Sequence, residues 1–566
     1  MSDKSGDVGS DAAGSLQVPE ARGGGGPIAA ERGDSHAPQH PRIPGLAPRI
    51  TIAICLAAML LLNIFGSKLD FGVVNILDLI LLFIQVVTLL FWFAFRSGYP
   101  RGARIAVPVV VIVGLVTLLA VLRFDNTSGA LVPTSWRWSW AKKQDQMLKP
   151  PERLLAAERI NLSSTSSADF PGFLGPDRSA TVDEIELDPD WTSHPPRQLW
   201  VREVGAGWSG FAAVNGFAVT IEQRDGDEWT TCYEIETGRL VWSHAIATRH
   251  ETVMGGIGPR STPTIHEGYV YALGATGVLR CLDGSTGQLV WERDLYSEFG
   301  LDQNSSEALV AWGRSNSPLI VNDKVVVPAG GPSGMSVSLV ALDRLSGETI
   351  WQAGDAQVSY SSPVLRKLAG RDQIVSVNED CVTGHDPATG DVLWKQPFPG
   401  SSSGAANTAQ PVVLADDRIL LTKAYGVGAK MFRVRKDDSG RYGVELVWEH
   451  AQVLKTKFTN VSVAGPYAFG LSDGILECID WSSGESQWKS GRYGHGQLLR
   501  VGKHLLVLSE KGVLSLVAAD SSARRELATL PVLEGQTWNN LCLYGDRLLV
   551  RNAQQAACYE LRQAKR

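Results

Sequence analysis

The sequence predicts an all-β fold: an eight-bladed β-propeller of four-stranded blades, preceded by a disordered tail and three transmembrane helices. Three observations carry that prediction. An acidic residue sits four positions before a glycine, and a tryptophan four after it, in Glu234–Trp242, Asp283–Trp291, Asp343–Trp351, Asp386–Trp394 and Asp480–Trp488. Recurrence at intervals of tens of residues marks a repeat architecture. From Arg197 to Arg562 the chain consists of short β-rich runs broken by Gly, Asp and Ser turns, with no long helical period. Between residues 50 and 122 lie three long apolar stretches.

Residues 1–49 are rich in Gly, Ser, Pro and charge and include the run Gly23–Gly26. Nothing there could bury a core, so a disordered cytoplasmic tail is expected. Residues 50–122 form the predicted three-span anchor, from Ile50–Phe65, Val73–Phe95 and Ile105–Leu122. A bilayer core takes roughly 20 apolar residues per helix. Arg42 and Arg49 precede the first span, and Arg96, Arg101 and Arg104 crowd the second loop, while the first loop has no net charge. The positive-inside rule then places the N-terminus in the cytoplasm and everything after Leu122 on the far side of the inner membrane. Trp136, Trp138 and Trp140 suit an interfacial aromatic belt at the exit. Asp78 and Gln85 share one face of the second span and read as an interfacial acid and an interhelical hydrogen bond, or else as an ion path. Residues 123–195 read as a linker and lead-in segment with a short helix around Pro151–Ile160.

The propeller is expected over residues 196–566. In each repeat the acid accepts from backbone N–H groups of the following turn, and the glycine takes a positive φ. The tryptophan on the outer strand then lies across the gap to a neighbouring sheet, burying roughly 150–250 Å². Inner strands are expected to begin near residues 209, 261, 316, 361, 409, 459, 496 and 539. The last copy runs out before its outer strand, while QLWVREV (198–204) is an outer strand without partners. The economical solution is that the Trp200 strand completes the eighth blade, removing exposed sheet edges.

Seven cysteines include no CxxC pair, haem site or zinc spacing. Cys232, Cys281, Cys478 and Cys558 share one repeat position, two residues before an acid, and read as small buried hydrophobes. The net charge of -6 gives no sign of a nucleic-acid partner.

The recurring D-x-x-[TS]-G-x-x-x-W resembles the repeat of the pyrroloquinoline quinone (PQQ)-like propellers, the quinoprotein alcohol dehydrogenase-like family. That family includes quinoprotein dehydrogenases and a non-enzymatic outer-membrane-protein assembly factor, and the chain is closer in character to the latter. Phe170–Arg178, FPGFLGPDR, is similar to the segment before many such propellers in membrane-anchored bacterial proteins. The resemblance spans residues 168–562. For an enzyme it would imply bound PQQ, a calcium on carboxylate and amide oxygens, a catalytic Asp and often a vicinal disulfide. The predicted inner-strand starts contain no acid, and no two cysteines are adjacent. No catalytic, cofactor or metal residue is therefore carried over, and no cofactor is expected.

Aligned on the inner strands, Trp208, Arg260, Arg314, Tyr360, Lys457, His495 and Trp538 are expected at the channel mouth. Convergent cations and aromatics there suit an anion, a carboxylate or a polypeptide segment. The same residues also suit a wide channel filled with satisfied hydrogen bonds. Two functions follow: a periplasm-facing, membrane-anchored binding or assembly scaffold, or a membrane-bound quinoprotein dehydrogenase using PQQ and calcium and passing electrons to membrane quinone.

Overall fold

The computed structural model describes residues 42–66, 70–149, 159–163, 165–252 and 255–564. Three long apolar helices lead: α1 (Leu46–Phe65), α2 (Phe71–Arg96) and α3 (Arg101–Val121). Each is long and apolar enough to cross a membrane. α1 begins four residues before the predicted span, so Leu46–Arg49 belong to a helix rather than to the tail; residues 1–41 of the predicted tail lie outside the described residues. Asn63 Nδ2 donates to Asp78 Oδ2 at 3.0 Å and Gln85 Nε2 to Met59 Sδ at 3.4 Å, so Asp78 and Gln85 of α2 both bond to α1. Arg42 N–H donates to the Ser97 carbonyl, which puts the N-terminal segment and the α2–α3 turn at one end of the helices.

The other end carries an element the sequence reading missed. α3 passes directly into strand β1 (Leu122–Thr127), which pairs antiparallel with β2 (Pro133–Trp138). The linker then lands on the first blade, where buried Asp145 receives Arg249 and Lys143 meets Glu251. The helix expected at Pro151–Ile160 falls mostly on residues 151–158, outside the described residues. The lead-in segment crosses the far end of the propeller channel. Phe170 bridges to Ala213, and β3 (Thr181–Val182) runs parallel to the inner strand Gln497–Val501. Between them Arg178 donates to the carbonyls of Pro318 (2.7 Å) and Ser317 (2.9 Å), and Gln410 donates to the Arg178 carbonyl.

Eight sheets of the predicted grammar form the ring. Their inner strands are Ala212–Val214, Thr264–His266, Leu319–Val321, Val364–Leu368, Val412–Leu414, Ser462–Ala464, Gln497–Val501 and Cys542–Tyr544. The eighth sheet is closed by β4 (Arg197–Glu203), with Trp200 opposite Cys558. The seventh carries β3 as a fifth strand on its inner edge.

The repeat motif builds the joint between blades. Asp283, Asp343, Asp386 and Asp480 each accept from backbone N–H groups two or three residues on, at 2.7–3.0 Å. The longer Glu234 takes the Thr237 hydroxyl instead. Each motif glycine has φ between +69° and +81°, which an L-residue resists. The tryptophan of the preceding blade then lies flat against that glycine. A β-carbon at Gly238 would come within 2.7 Å of Trp200, at Gly287 within 2.7 Å of Trp242, and at Gly347 within 2.8 Å of Trp291. The same contact joins Trp351 to Gly390 and Trp448 to Gly484. Four of these indoles also donate Nε1–H into that turn: Trp200 to Ile235, Trp242 to Gly284, Trp291 to Arg344 and Trp448 to Trp481. Trp394 is the informative exception. The next blade replaces the motif with a long hairpin, and Trp394 turns inward, donating to Gln373 and packing on Gly384 of its own blade. Small residues opposite the indoles make room, Cys232, Cys281, Cys478 and Cys558 among them; all seven cysteines are buried and free.

Gly287→Ala should destabilise the propeller more than Gly370→Ala. Both glycines have φ near +80°, which costs an L-residue about 1–2 kcal/mol, but only Gly287 would drive a β-carbon into an indole. Denaturant midpoints compare them, and equal shifts would show that the indole contact adds nothing.

Candidate functional site

The inner-strand starts are polar because they stitch blade to blade. Asn539 Nδ2 donates to the Gly207 and Ser209 carbonyls, Gly210 N–H to Thr262 Oγ1, Thr262 N–H to Ser317 Oγ, and Ser317 N–H to Ser362 Oγ. Asn316 Nδ2 donates to Ser359 and Ser361, and Gln410 N–H to Asn460 Oδ1. The N–H donors of these buried groups are spent on closing the ring.

Above this ring lies a cavity of about 330 Å³ at the channel mouth. Five of the seven residues expected there line it: Trp208, Arg260, Tyr360, Lys457 and Trp538. Trp208 and Trp538 face each other with ring centroids 4.8 Å apart, and Phe458 continues the arc 4.6 Å from Trp538. Trp312 stacks on Tyr360 at 5.1 Å across the cavity wall. Arg260 donates to the Gly255, Gly256 and Gly258 carbonyls, and burial pulls its guanidinium down to about 10. Burial pushes the Tyr360 phenol up, with its hydroxyl on the Ser402 carbonyl at 2.7 Å.

Two expected residues are not in the cavity lining. Arg314 is wholly buried, donates to the Pro328 and Ala329 carbonyls and lies over the Tyr296 ring, so it fills the wall between strands. His495 packs under Phe458 at 5.4 Å. Burial, with the Lys457 ammonium beside it, holds its imidazole down to about 3 and therefore neutral.

The mouth is occupied by the chain's own membrane-proximal elements. Lys457 Nζ donates to Asp70 Oδ1 at 3.0 Å and to the Gly129 carbonyl at 2.9 Å. Both charged side chains are nearly buried, at 8% and 6% exposure, so each depends on the other. Asp70 caps α2 as well, accepting from Gly72 N–H at 2.7 Å. Gly129, at the tip of the β1–β2 hairpin, donates its N–H to Glu510 Oε1 at 2.6 Å. A β-carbon at residue 129 would collide with the His495 ring, so only glycine fits. Glu510 also receives Trp538 Nε1 (2.8 Å) and His495 N–H (3.2 Å). Gln536 Nε2 donates to the Thr127 carbonyl, and Asn75 Nδ2 on α2 to the Ala130 carbonyl. The Asp70 carboxylate and the hairpin turn that meet the basic, aromatic mouth both belong to this chain.

Sequence reasoning missed Glu510 and Asp70. Glu510 sits in a turn after a second strand, not at an inner-strand start, and Asp70 lies beyond the propeller altogether.

The donor set does not suit a quinone–calcium centre. A hard cation takes several oxygen ligands. Asp70 Oδ1 bonds to Lys457 and Gly72, Glu510 to Gly129, Trp538 and His495, and Asp473 faces Lys455 and His495, while Asp70 Oδ2 has no hydrogen-bond partner among the described residues. Among the described residues no three His, Cys, Asp or Glu side chains are grouped to hold a metal.

Residues 199–490 match the profile of the family described as outer membrane protein assembly factor BamB. No curated protein matches the chain. Among solved structures, the chain is similar to BamB from Moraxella catarrhalis, at 16% identity and a TM-score of 0.46, over 64% of this chain and 99% of that one. It is also similar to the quinohemoprotein alcohol dehydrogenase from Comamonas testosteroni, at 12% identity and a TM-score of 0.49, over 71% and 82% of the two chains.

Lys457→Met should release the mouth, because it strands the buried Asp70 carboxylate at about 3–5 kcal/mol. The double variant Lys457→Met/Asp70→Asn should recover most of that loss. Hydrogen exchange of the segment around Gly129 reads both; unchanged protection in Lys457→Met would mean the ion pair does not hold the mouth.

Proposed function

The chain belongs to the PQQ-like propeller family described as outer membrane protein assembly factor BamB, and from that premise we propose a membrane-anchored, periplasm-facing binding or assembly scaffold that works without PQQ or calcium. The observation that carries this reading is the Lys457–Asp70 pair with Gly129 beneath it. The residues that could recognise an anion or a peptide end at the mouth spend their donors on the chain itself. Such a mouth serves to fix the propeller on its anchor.

A polypeptide partner then binds at the rim. Outer strands there expose Leu289, Val290, Ile350, Val392, Leu446 and Val447. Apolar residues on exposed outer edges offer a strand-pairing surface. The basic residues Arg42, Arg96, Arg101 and Arg104 lie at the helix ends away from the propeller, which favours a cytoplasmic N-terminus and an inner-membrane location.

The test uses the full chain in detergent, supplied with PQQ and calcium and assayed for cofactor binding and dye-linked oxidation of alcohols and sugars. The proposal expects neither; stoichiometric binding with turnover would replace it with the dehydrogenase. Protease added to spheroplasts should degrade the propeller and spare the α2–α3 turn, and the reverse pattern would invert the orientation.

A further inference from the structure

The β1–β2 hairpin is amphipathic across its two faces. Register pairs Phe124 with Trp136 and Leu122 with Trp138 on one face. The Phe124 and Trp136 rings meet edge-on at 6.0 Å, and Trp138 stacks on Trp140 at 5.3 Å. The opposite face is tied by Asp125, which accepts Arg123 at 2.8 Å and Arg137 at 3.0 Å. The aromatic face is bare. Trp136, Trp138 and Trp140 are 55%, 53% and 70% exposed, and they are the exposed members of the chain's 17 tryptophans. A contiguous exposed aromatic patch marks an interaction surface.

Its position points to the partner. β1 starts at the residue after α3 ends, so the ribbon leaves the hydrocarbon boundary with no intervening linker. Indoles favour the headgroup level, where an apolar ring and a polar N–H are both satisfied. At the far end the hairpin tip is clamped in the propeller mouth by Lys457, Glu510 and Gln536. We infer that this hairpin lies in the bilayer interface with its aromatic face on lipid, and so holds the propeller mouth toward the membrane. The inference rests on α1–α3 being membrane spans.

The experiment uses the full chain reconstituted in phosphatidylcholine bilayers, with or without brominated acyl chains. The native cysteines are buried, so one added cysteine carries a nitrobenzoxadiazole fluorophore. Sites are Trp138→Cys, with Trp140→Cys as a second probe, Val113→Cys within α3, and Ala523→Cys on the exposed rim of the seventh blade. Lipid bromine should quench the probes at 138 and 140 at least about threefold more than the probe at 523, with iodide showing the opposite order. If the probe at 113 is quenched while those at 138 and 140 are as iodide-accessible as the one at 523, the hairpin is in water and the inference falls. Shielding of 138 and 140 from both quenchers would assign the face to protein and overturn it too. Lack of quenching at 113 would remove the membrane spans themselves.

Discussion

The ring depends on one contact made repeatedly: an indole from one blade lying flat on a glycine of the next. The glycine serves two purposes at once. Its positive φ reverses the chain, and its missing side chain leaves the surface on which Trp200, Trp242, Trp291, Trp351 and Trp448 rest. Burying an aromatic of roughly 150–250 Å² is worth about 4–6 kcal/mol at the usual area coefficient, an upper bound. Radial repetition of such joints closes the circle, and the Trp200–Gly238 joint closes it across the two ends of the propeller sequence. Where the motif is missing the rule bends locally, as Trp394 shows.

Closure leaves a channel whose two ends the chain fills itself. The lead-in segment seals one end through Arg178, and the hairpin tip and Asp70 seal the other. A buried lysine without a partner is unfavourable, so the Asp70 carboxylate is part of the propeller mouth in every energetic sense. The same carboxylate caps α2, which couples the membrane helix to the ring through one side chain. The proposed scaffold role rests on that coupling, which holds the ring against its N-terminal helices.

The blades were legible because their signals are local. Acid, glycine and tryptophan lie within nine residues, and the Trp200 strand could be assigned by counting incomplete copies. The mouth was legible only as a composition. Inner-strand position put Trp208, Arg260, Tyr360, Lys457 and Trp538 at the mouth, where they line the cavity, but it could not say which way each side chain turns. Arg314 turns back between strands toward carbonyls of its own blade, and His495 turns under Phe458. The plug was illegible because it joins residues far apart in sequence: Lys457 and Asp70 are separated by 387 positions, and Gly129 and Glu510 by 381. The β1–β2 hairpin was hidden for another reason, since its alternation is interrupted by register shifts near Phe124 and Asn126.

The occupied mouth is tested most directly by proximity in the native membrane. Thr127 and Gln536 touch only when the hairpin tip sits in the channel, where the Gln536 amide donates to the Thr127 carbonyl at 2.7 Å. With cysteines at both positions, Thr127→Cys and Gln536→Cys, a short bismaleimide should join them within one chain in nearly every molecule. Free labelling of both cysteines without a cross-link would show an open mouth and contradict the account.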